Sequence, residues 1–175
     1  PQYLLLDESV YSKPLPDALK YVISPPIRTK QDQQALWLAC ADGTVDVIST
    51  DHCPFNTTGQ KDVGINDFTK IPNGAGGIEN RLQLLYTYGV LTGKISLQQF
   101  VGLTSANAAR IFDLLPQKGV VAVGSDADLL IWNPDATSVI SLEAQLQNCD
   151  SNIYDGMPIR GKAECVFLNG ELQNQ

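Results

Sequence analysis

The sequence predicts an α/β protein whose C-terminal stretch turns β-rich, and three observations carry that expectation. An apolar run at residues 45–50 stops abruptly at Asp51-His52, and a helical block and an earlier apolar segment precede it. That order is the strand–helix–strand rhythm of a parallel sheet. Beyond about residue 116, short β-branched runs replace the helical blocks and end at Asn169-Gly170, the strongest two-residue hairpin signal in the chain.

Pro1-Gln2-Tyr3-Leu4-Leu5-Leu6 reads as the middle of a strand, and residues 7–16, with two prolines and no periodicity, as an irregular loop. Apolar character returns at residues 18–23 until Ser24-Pro25-Pro26, where the double proline fixes two φ angles and holds Ser24 rigidly. Residues 29–41 form a helical block around Trp37, closed by Asp42-Gly43, and the strand at 45–50 follows. Residues 52–77 are a long polar connection of the kind that usually has a function, anchored by Phe55, Ile65, Phe68 and Ile71. Its end, Pro72-Asn73-Gly74-Ala75-Gly76-Gly77, is either an anion cradle before the helix at 78–88 or a glycine hinge with close backbone packing. Two further helices are expected, at 97–103 capped by Ser96 and at 106–114 capped by Thr104 or Ser105. Strand candidates then fall at 120–123, 128–132, 138–140 and 163–168, so a domain boundary near 116 divides 1–115 from 116–175.

A net charge of −7 and a pI near 4.5 argue against nucleic acid or an anionic membrane as partner, because both select basic surfaces. A small neutral or polar ligand is easier to reconcile with that charge. No apolar run approaches the roughly 20 residues that cross a bilayer. Cys40, Cys53, Cys149 and Cys165 form no CxxC pair and read as buried thiols of a reducing, cytoplasmic compartment. The Asn56-Thr57-Thr58 sequon is a short motif of a kind that recurs by chance.

The chemistry centres on Asp51-His52, which admits three readings. Carboxylate and imidazole both suit zinc or a similar ion; either residue can move a proton; or Asp51 caps a turn and His52 is structural. A zinc site needs three or four ligands, which one histidine and unclustered cysteines do not supply.

Four motifs in collinear order then carry a resemblance. Ser49-Thr50-Asp51-His52-Cys53-Pro54-Phe55-Asn56, Asp67-Phe68-Thr69-Lys70-Ile71-Pro72-Asn73-Gly74, Thr104-Ser105-Ala106-Asn107-Ala108-Ala109 and Val123-Gly124-Ser125-Asp126-Ala127-Asp128-Leu129 resemble the C-terminal part of dihydropyrimidinases and hydantoinases, the cyclic amidohydrolases. Residues 21–28 agree as well. The resemblance implies the C-terminal part of a (β/α)₈ TIM barrel followed by part of a small β-rich domain. It also implies hydrolysis of the ring amide of dihydropyrimidines such as dihydrouracil and dihydrothymine, or of hydantoins. It implies a pair of divalent metals, usually zinc, bridged by a carboxylated lysine, and a homotetrameric parent. Asp51 takes the place of the metal-ligating aspartate at the end of the eighth barrel strand, which accepts a proton from the nucleophile and passes it to the leaving nitrogen. Ser24 and Asn73 match positions that hydrogen-bond the ring, largely through their main chains. His52 matches no ligand position and is expected to be supporting or structural.

The histidine ligands and the bridging lysine of the family match nothing in this chain, and a whole barrel takes about 250 residues. The chain is therefore expected to be a piece of a longer enzyme and to be inactive alone. Two rival readings stand beside this one. Non-enzymatic scaffolds of the collapsin response mediator type share the fold but have lost the strand-tip aspartate and carry an acid in place of the asparagine, whereas Asp51 and Asn73 are kept here. Allantoinases and dihydroorotases are the other, and are expected to lack the Cys53-Pro54-Phe55-Asn56 and Ile71-Pro72-Asn73-Gly74 combination.

Overall fold

At the N-terminus, where a strand is expected, the chain coils into a helical turn, α1 (Gln2–Leu5). The computed structural model describes residues 1–173. Three successive leucines favour helix over strand, and the turn closes through Leu4 N–H to the Pro1 carbonyl at 2.9 Å. Leu4 is buried, and its carbonyl accepts the Trp37 indole N–H at 2.8 Å. The expected loop at 7–16 contains a 3₁₀ turn, Glu8–Ser12, and the apolar segment after it opens with a second, Asp17–Tyr21, which buries Ala18, Leu19 and Tyr21.

Helix α2 (Lys30–Asp42) matches the predicted block. Thr29 and Asp32 cap it reciprocally: Asp32 N–H donates to Thr29 Oγ1 at 3.2 Å and Thr29 N–H to Asp32 Oδ2 at 3.1 Å. Gly43, at φ +84°, takes the left-handed position that ends it. The expected strand at 45–50 is extended chain without a ladder. Val45 N–H donates to the Ala39 carbonyl and Ile48 N–H to the Leu103 carbonyl, both at 2.9 Å, the Asp46 carbonyl accepts the Asn107 side-chain amide at 2.9 Å, and an isolated parallel bridge, His52 with Ala75, follows. An apolar run supplies strand propensity, but a strand exists only through neighbours that satisfy its backbone groups.

Helix α3 (Arg81–Leu85) starts three residues later than the predicted 78 and runs into a π turn, Tyr86–Val90. The two helices expected next are one continuous run: α4 (Leu97–Val101), a π turn (Gly102–Ala106) and α5 (Asn107–Ile111). Ser96 and Gln99 form a capping box at its start. Thr104 opens no second helix, because its hydroxyl donates back to the Phe100 carbonyl at 2.7 Å. Tyr86 packs edge-on against Phe100 and Trp132, with ring centroids 6.2 and 5.5 Å away.

The sheet among the described residues has three strands in the order β1 (Leu129–Val139), β2 (Pro158–Leu168), β3 (Glu171–Gln173). Strand β1 merges two predicted strands across Pro134, where the Asn133 side chain accepts the Asp135 and Ala136 amides. Residues 120–123 form no strand, and Val121 and Val123 are exposed. Asn169 and Gly170, at φ +51° and +82°, make the predicted hairpin, pairing Leu168 with Glu171 antiparallel.

The described chain divides into two compact units, each built from three stretches of sequence. One comprises Pro1–Trp37, Ser49–Arg81 and Val139–Pro158; the other comprises Leu38–Ile48, Leu82–Ser138 and the described residues from Ile159 onward. Every residue expected to carry chemistry lies in the first. No helix among the described residues is long and apolar enough to cross a membrane.

Candidate functional site

The site is built on one turn. Asp51 has φ +47°, a left-handed conformation that non-glycine residues adopt rarely and that aspartate tolerates better than most. This turn exposes the Asp51 carboxylate, which makes no hydrogen bond or ion pair with any described residue. Tyr3 lies within electrostatic reach of it: burial, and then the Asp51 charge, push the Tyr3 phenol up from its ordinary pKa. Tyr3 Oη donates to the Pro25 carbonyl at 2.7 Å, which ties α1 to the segment after Ser24.

Ser24 and Asn73, 49 residues apart, meet here. Ser24 Oγ lies 3.4 Å from Asn73 Oδ1, and both residues are exposed. Their backbones are joined more firmly than their side chains, through Gly74 N–H to the Val22 carbonyl at 3.1 Å. On its other side the Asn73 loop is tied to the Asp51 turn by Cys53 N–H on the Ala75 carbonyl at 3.0 Å. A side chain at Gly74 would overlap that backbone, since an added Cβ would collide with the Cys53 carbonyl oxygen and the Phe55 ring. Glycine here serves close approach of two segments.

His52 does not point away from this junction. Its Nδ1 accepts the amides of Gly77 at 3.1 Å and Ile78 at 3.3 Å. The amides that an anion cradle would use are thus taken by an imidazole, and α3 begins only at Arg81. Of the two readings of the glycine-rich stretch, close backbone packing is the one found.

The long loop is ordered by anchors that differ from those expected. Ile71 is buried, but Phe68 is 80% exposed and Ile65 43%. The unexpected anchor is Lys61, 1% exposed, whose ammonium donates to the Val22 carbonyl at 2.8 Å and sits 5.9 Å from the Phe55 ring. Burial pushes its pKa down to about 8. A second clasp joins residues 55–58 to 149–151: Thr57 and Thr58 amides donate to the Asp150 carboxylate, and Asp150 N–H donates to Asn56 Oδ1. The Cys149 thiol and Ser151 hydroxyl both donate to the Phe55 carbonyl, at 3.0 and 2.9 Å. All four cysteines are free, and Cys53 is exposed rather than buried as expected. Beneath the turn lies Tyr154, fully buried, with its hydroxyl near the Thr50 and Gly77 position and without a partner among the described residues. Burial raises its pKa. Tyr3, Lys61 and Tyr154 carried no signal in the sequence, because none belongs to a spacing pattern and each is brought in by tertiary packing alone.

Residues 11–172 match the amidohydrolase family. The chain belongs to that family. It is 45% identical over 172 residues to the D-hydantoinase of Geobacillus stearothermophilus, covering 98% of this chain and 36% of that protein. It is likewise 45% identical to the D-hydantoinase of Rhizobium radiobacter, over 98% of this chain and 37% of the relative. The crystal structure of the dihydropyrimidinase from Brevibacillus agri superposes with a TM-score of 0.95 at 46% identity, over 98% of this chain and 37% of that one. The L-hydantoinase of Arthrobacter aurescens gives a TM-score of 0.88 at 30% identity, over 98% of this chain and 37% of that one. This amidohydrolase chain therefore spans little more than a third of the length of the relatives it matches. Amidohydrolases of the hydantoinase kind are generally metal-dependent. Among the described residues no group of three or more His, Cys, Asp or Glu side chains could hold a metal. Asp51, exposed and unpaired, fits a single metal ligand: a carboxylate with all its lone pairs available.

Proposed function

We propose that this chain is the C-terminal part of a cyclic amidohydrolase that opens the ring amide of dihydropyrimidines or hydantoins. The observation that carries the reading is the unpaired Asp51 carboxylate on a left-handed turn, backbone-tied to the loop of Asn73 and, through it, to Ser24. The likeness to hydantoinases over 98% of the chain supports it. In the complete protein, residues 1–115 belong to the TIM barrel and 116–175 to the small β-rich domain, and the assembly is a cytoplasmic homotetramer.

Asp51 would hold one of a pair of divalent ions, zinc in this reading, whose other ligands, a carboxylated lysine and histidines, would come from elsewhere in the complete protein. Such ions would supply Lewis-acid polarisation of the ring carbonyl and a more acidic attacking water. The work of this chain is orientation and proton transfer. As the attacking water forms the C–O bond, the Asp51 carboxylate accepts its proton at an oxygen and delivers it to the ring nitrogen as the C–N bond breaks. The exposed main-chain groups of Ser24 and Asn73 hydrogen-bond the ring and turn the amide toward Asp51.

The test is turnover of dihydrouracil and of hydantoin by the complete protein and by its Asp51→Ala variant. Hydrolysis by the wild type and a loss of at least about a thousandfold in the variant, with folding retained, are expected. Unchanged activity in Asp51→Ala would refute the assignment.

A further inference from the structure

We infer that His52 is a positioning residue: its Nδ1 staples the loop that carries Asn73 to the turn that carries Asp51. Two amides point at one imidazole nitrogen, Gly77 N–H at 3.1 Å and Ile78 N–H at 3.3 Å. A nitrogen that accepts two N–H donors carries no proton of its own, so the imidazole holds its proton on Nε2. On the main chain beside it, His52 and Ala75 form an isolated parallel bridge, with Cys53 N–H on the Ala75 carbonyl. Side chain and backbone of consecutive residues thus grip residues 75–78 together. The far end of the same loop is gripped by Val22, whose carbonyl accepts Gly74 N–H at 3.1 Å. Asn73 hangs just outside the two grips, exposed, with its own side chain making only long contacts, 3.3 Å to the Ile71 carbonyl and 3.4 Å from Ser24 Oγ.

This arrangement assigns His52 a task that the neighbouring aspartate cannot perform. Asp51 must keep its carboxylate free, so the fixing of the loop falls to the next side chain. With the imidazole removed, the Gly77 and Ile78 amides lose their acceptor at the place where the chain enters the turn before α3 (Arg81–Leu85). The Asn73 loop then stays attached through Ala75 and Gly74 alone, and its main chain is no longer held in one place for a ring to bind.

The kinetic part of this inference rests on the proposed function; the structural part does not, and the experiment separates them. Amide hydrogen exchange is measured by mass spectrometry on the complete protein as wild type, His52→Ala, His52→Gln and His52→Asn. Asparagine places its Oδ1 near the position of Nδ1, whereas glutamine reaches toward Nε2. Exchange in peptides covering residues 72–80 should speed up about tenfold or more in His52→Ala and His52→Gln and stay near wild type in His52→Asn. Peptides from β2 serve as the control for folding. With hydantoin or dihydrouracil, the Ala and Gln variants should raise KM about tenfold with kcat within about threefold, and Asn should restore KM. Unchanged exchange in the Ala and Gln variants overturns the inference. Faster exchange with unchanged KM overturns the positioning role while leaving the function of the protein intact. A wild type without turnover overturns the proposed function instead, and exchange then decides the role of His52.

Discussion

Lys61 donates its ammonium to the Val22 carbonyl at 2.8 Å, and the same oxygen accepts Gly74 N–H at 3.1 Å. A buried cation therefore joins two segments that flank Ser24 and Asn73, without an ion pair to a carboxylate among the described residues. Its neighbours are the Cys53 and Cys149 thiols and the Phe55 ring.

This arrangement sets a pH dependence. Lys61 has its folded-state pKa lowered from 10.5 to about 8, so below pH 8 the folded state carries a charge it would rather lose. Between the folded and the unfolded value the unfolded chain binds the extra proton, and stability attributable to Lys61 rises with pH across that window. The shift corresponds to roughly 3 kcal/mol of desolvation cost at neutral pH, against about 1.5 to 3 kcal/mol for the charged hydrogen bond to Val22. Lys61→Met should leave the complete protein as stable as wild type or more stable at pH 7. From pH 8 to 10.5 the wild type should gain stability relative to the variant when urea midpoints of the two proteins are compared. A variant that loses more than about 1 kcal/mol at pH 7 would show that the hydrogen bond outweighs desolvation.

Asp150 predicts a slope of the same sign in the acid range. Burial raises its pKa, but the Thr58 and Thr57 amides outweigh that and hold the carboxyl below the usual range. A depressed acid contributes stability above its unfolded pKa and loses it as pH falls through the folded value. Asp150→Ala should destabilise the protein by about 1 to 2 kcal/mol at pH 7, with solvent exposure limiting the loss. The difference from wild type should narrow as pH falls below the ordinary carboxylate range toward the folded pKa. Thermal unfolding at pH 7 and at successively lower pH in acid follows it, and a deficit that does not change with pH would refute the charge-assisted clasp.

Local signals were legible wherever the chain answers to itself. The capped helix α2, the Ser96 box and the Asn169-Gly170 hairpin each depend on residues a few positions apart, and each forms where the sequence places it. Elements that depend on partners were not legible. The run at 45–50 has strand propensity but finds no ladder among the described residues, and α1 forms where a strand is expected, with the Leu4 carbonyl taken by the Trp37 indole 33 residues away. At the site, Asp51, Ser24 and Asn73 were readable from motifs, and the structure brings the latter two together. Lys61, Tyr3 and Tyr154 were not, since a lysine in a polar loop and two tyrosines outside any pattern declare themselves only once packing has buried them. His52 was read as supporting or structural, but its partners were not readable, because the amides of Gly77 and Ile78 lie 25 and 26 residues away.

The contrast between Ser24 and Gly74 separates side-chain from main-chain recognition. Ser24 Oγ makes one long contact, 3.4 Å to Asn73 Oδ1, between two exposed residues. Such a bond is weak, and Ser24→Ala leaves the backbone that presents the main-chain groups in place. Its KM for hydantoin should stay within about threefold of wild type. Gly74 is buried, donates to Val22, and has no room for a methyl group against the Cys53 carbonyl and the Phe55 ring. Gly74→Ala must push the Asn73 loop off the Asp51 turn, at a cost of about 1 to 3 kcal/mol. Its KM should rise by tenfold or more, or the protein should lose that much stability in urea unfolding. A Ser24→Ala variant impaired as badly as Gly74→Ala would place recognition in the serine hydroxyl, and the main-chain account would then be wrong.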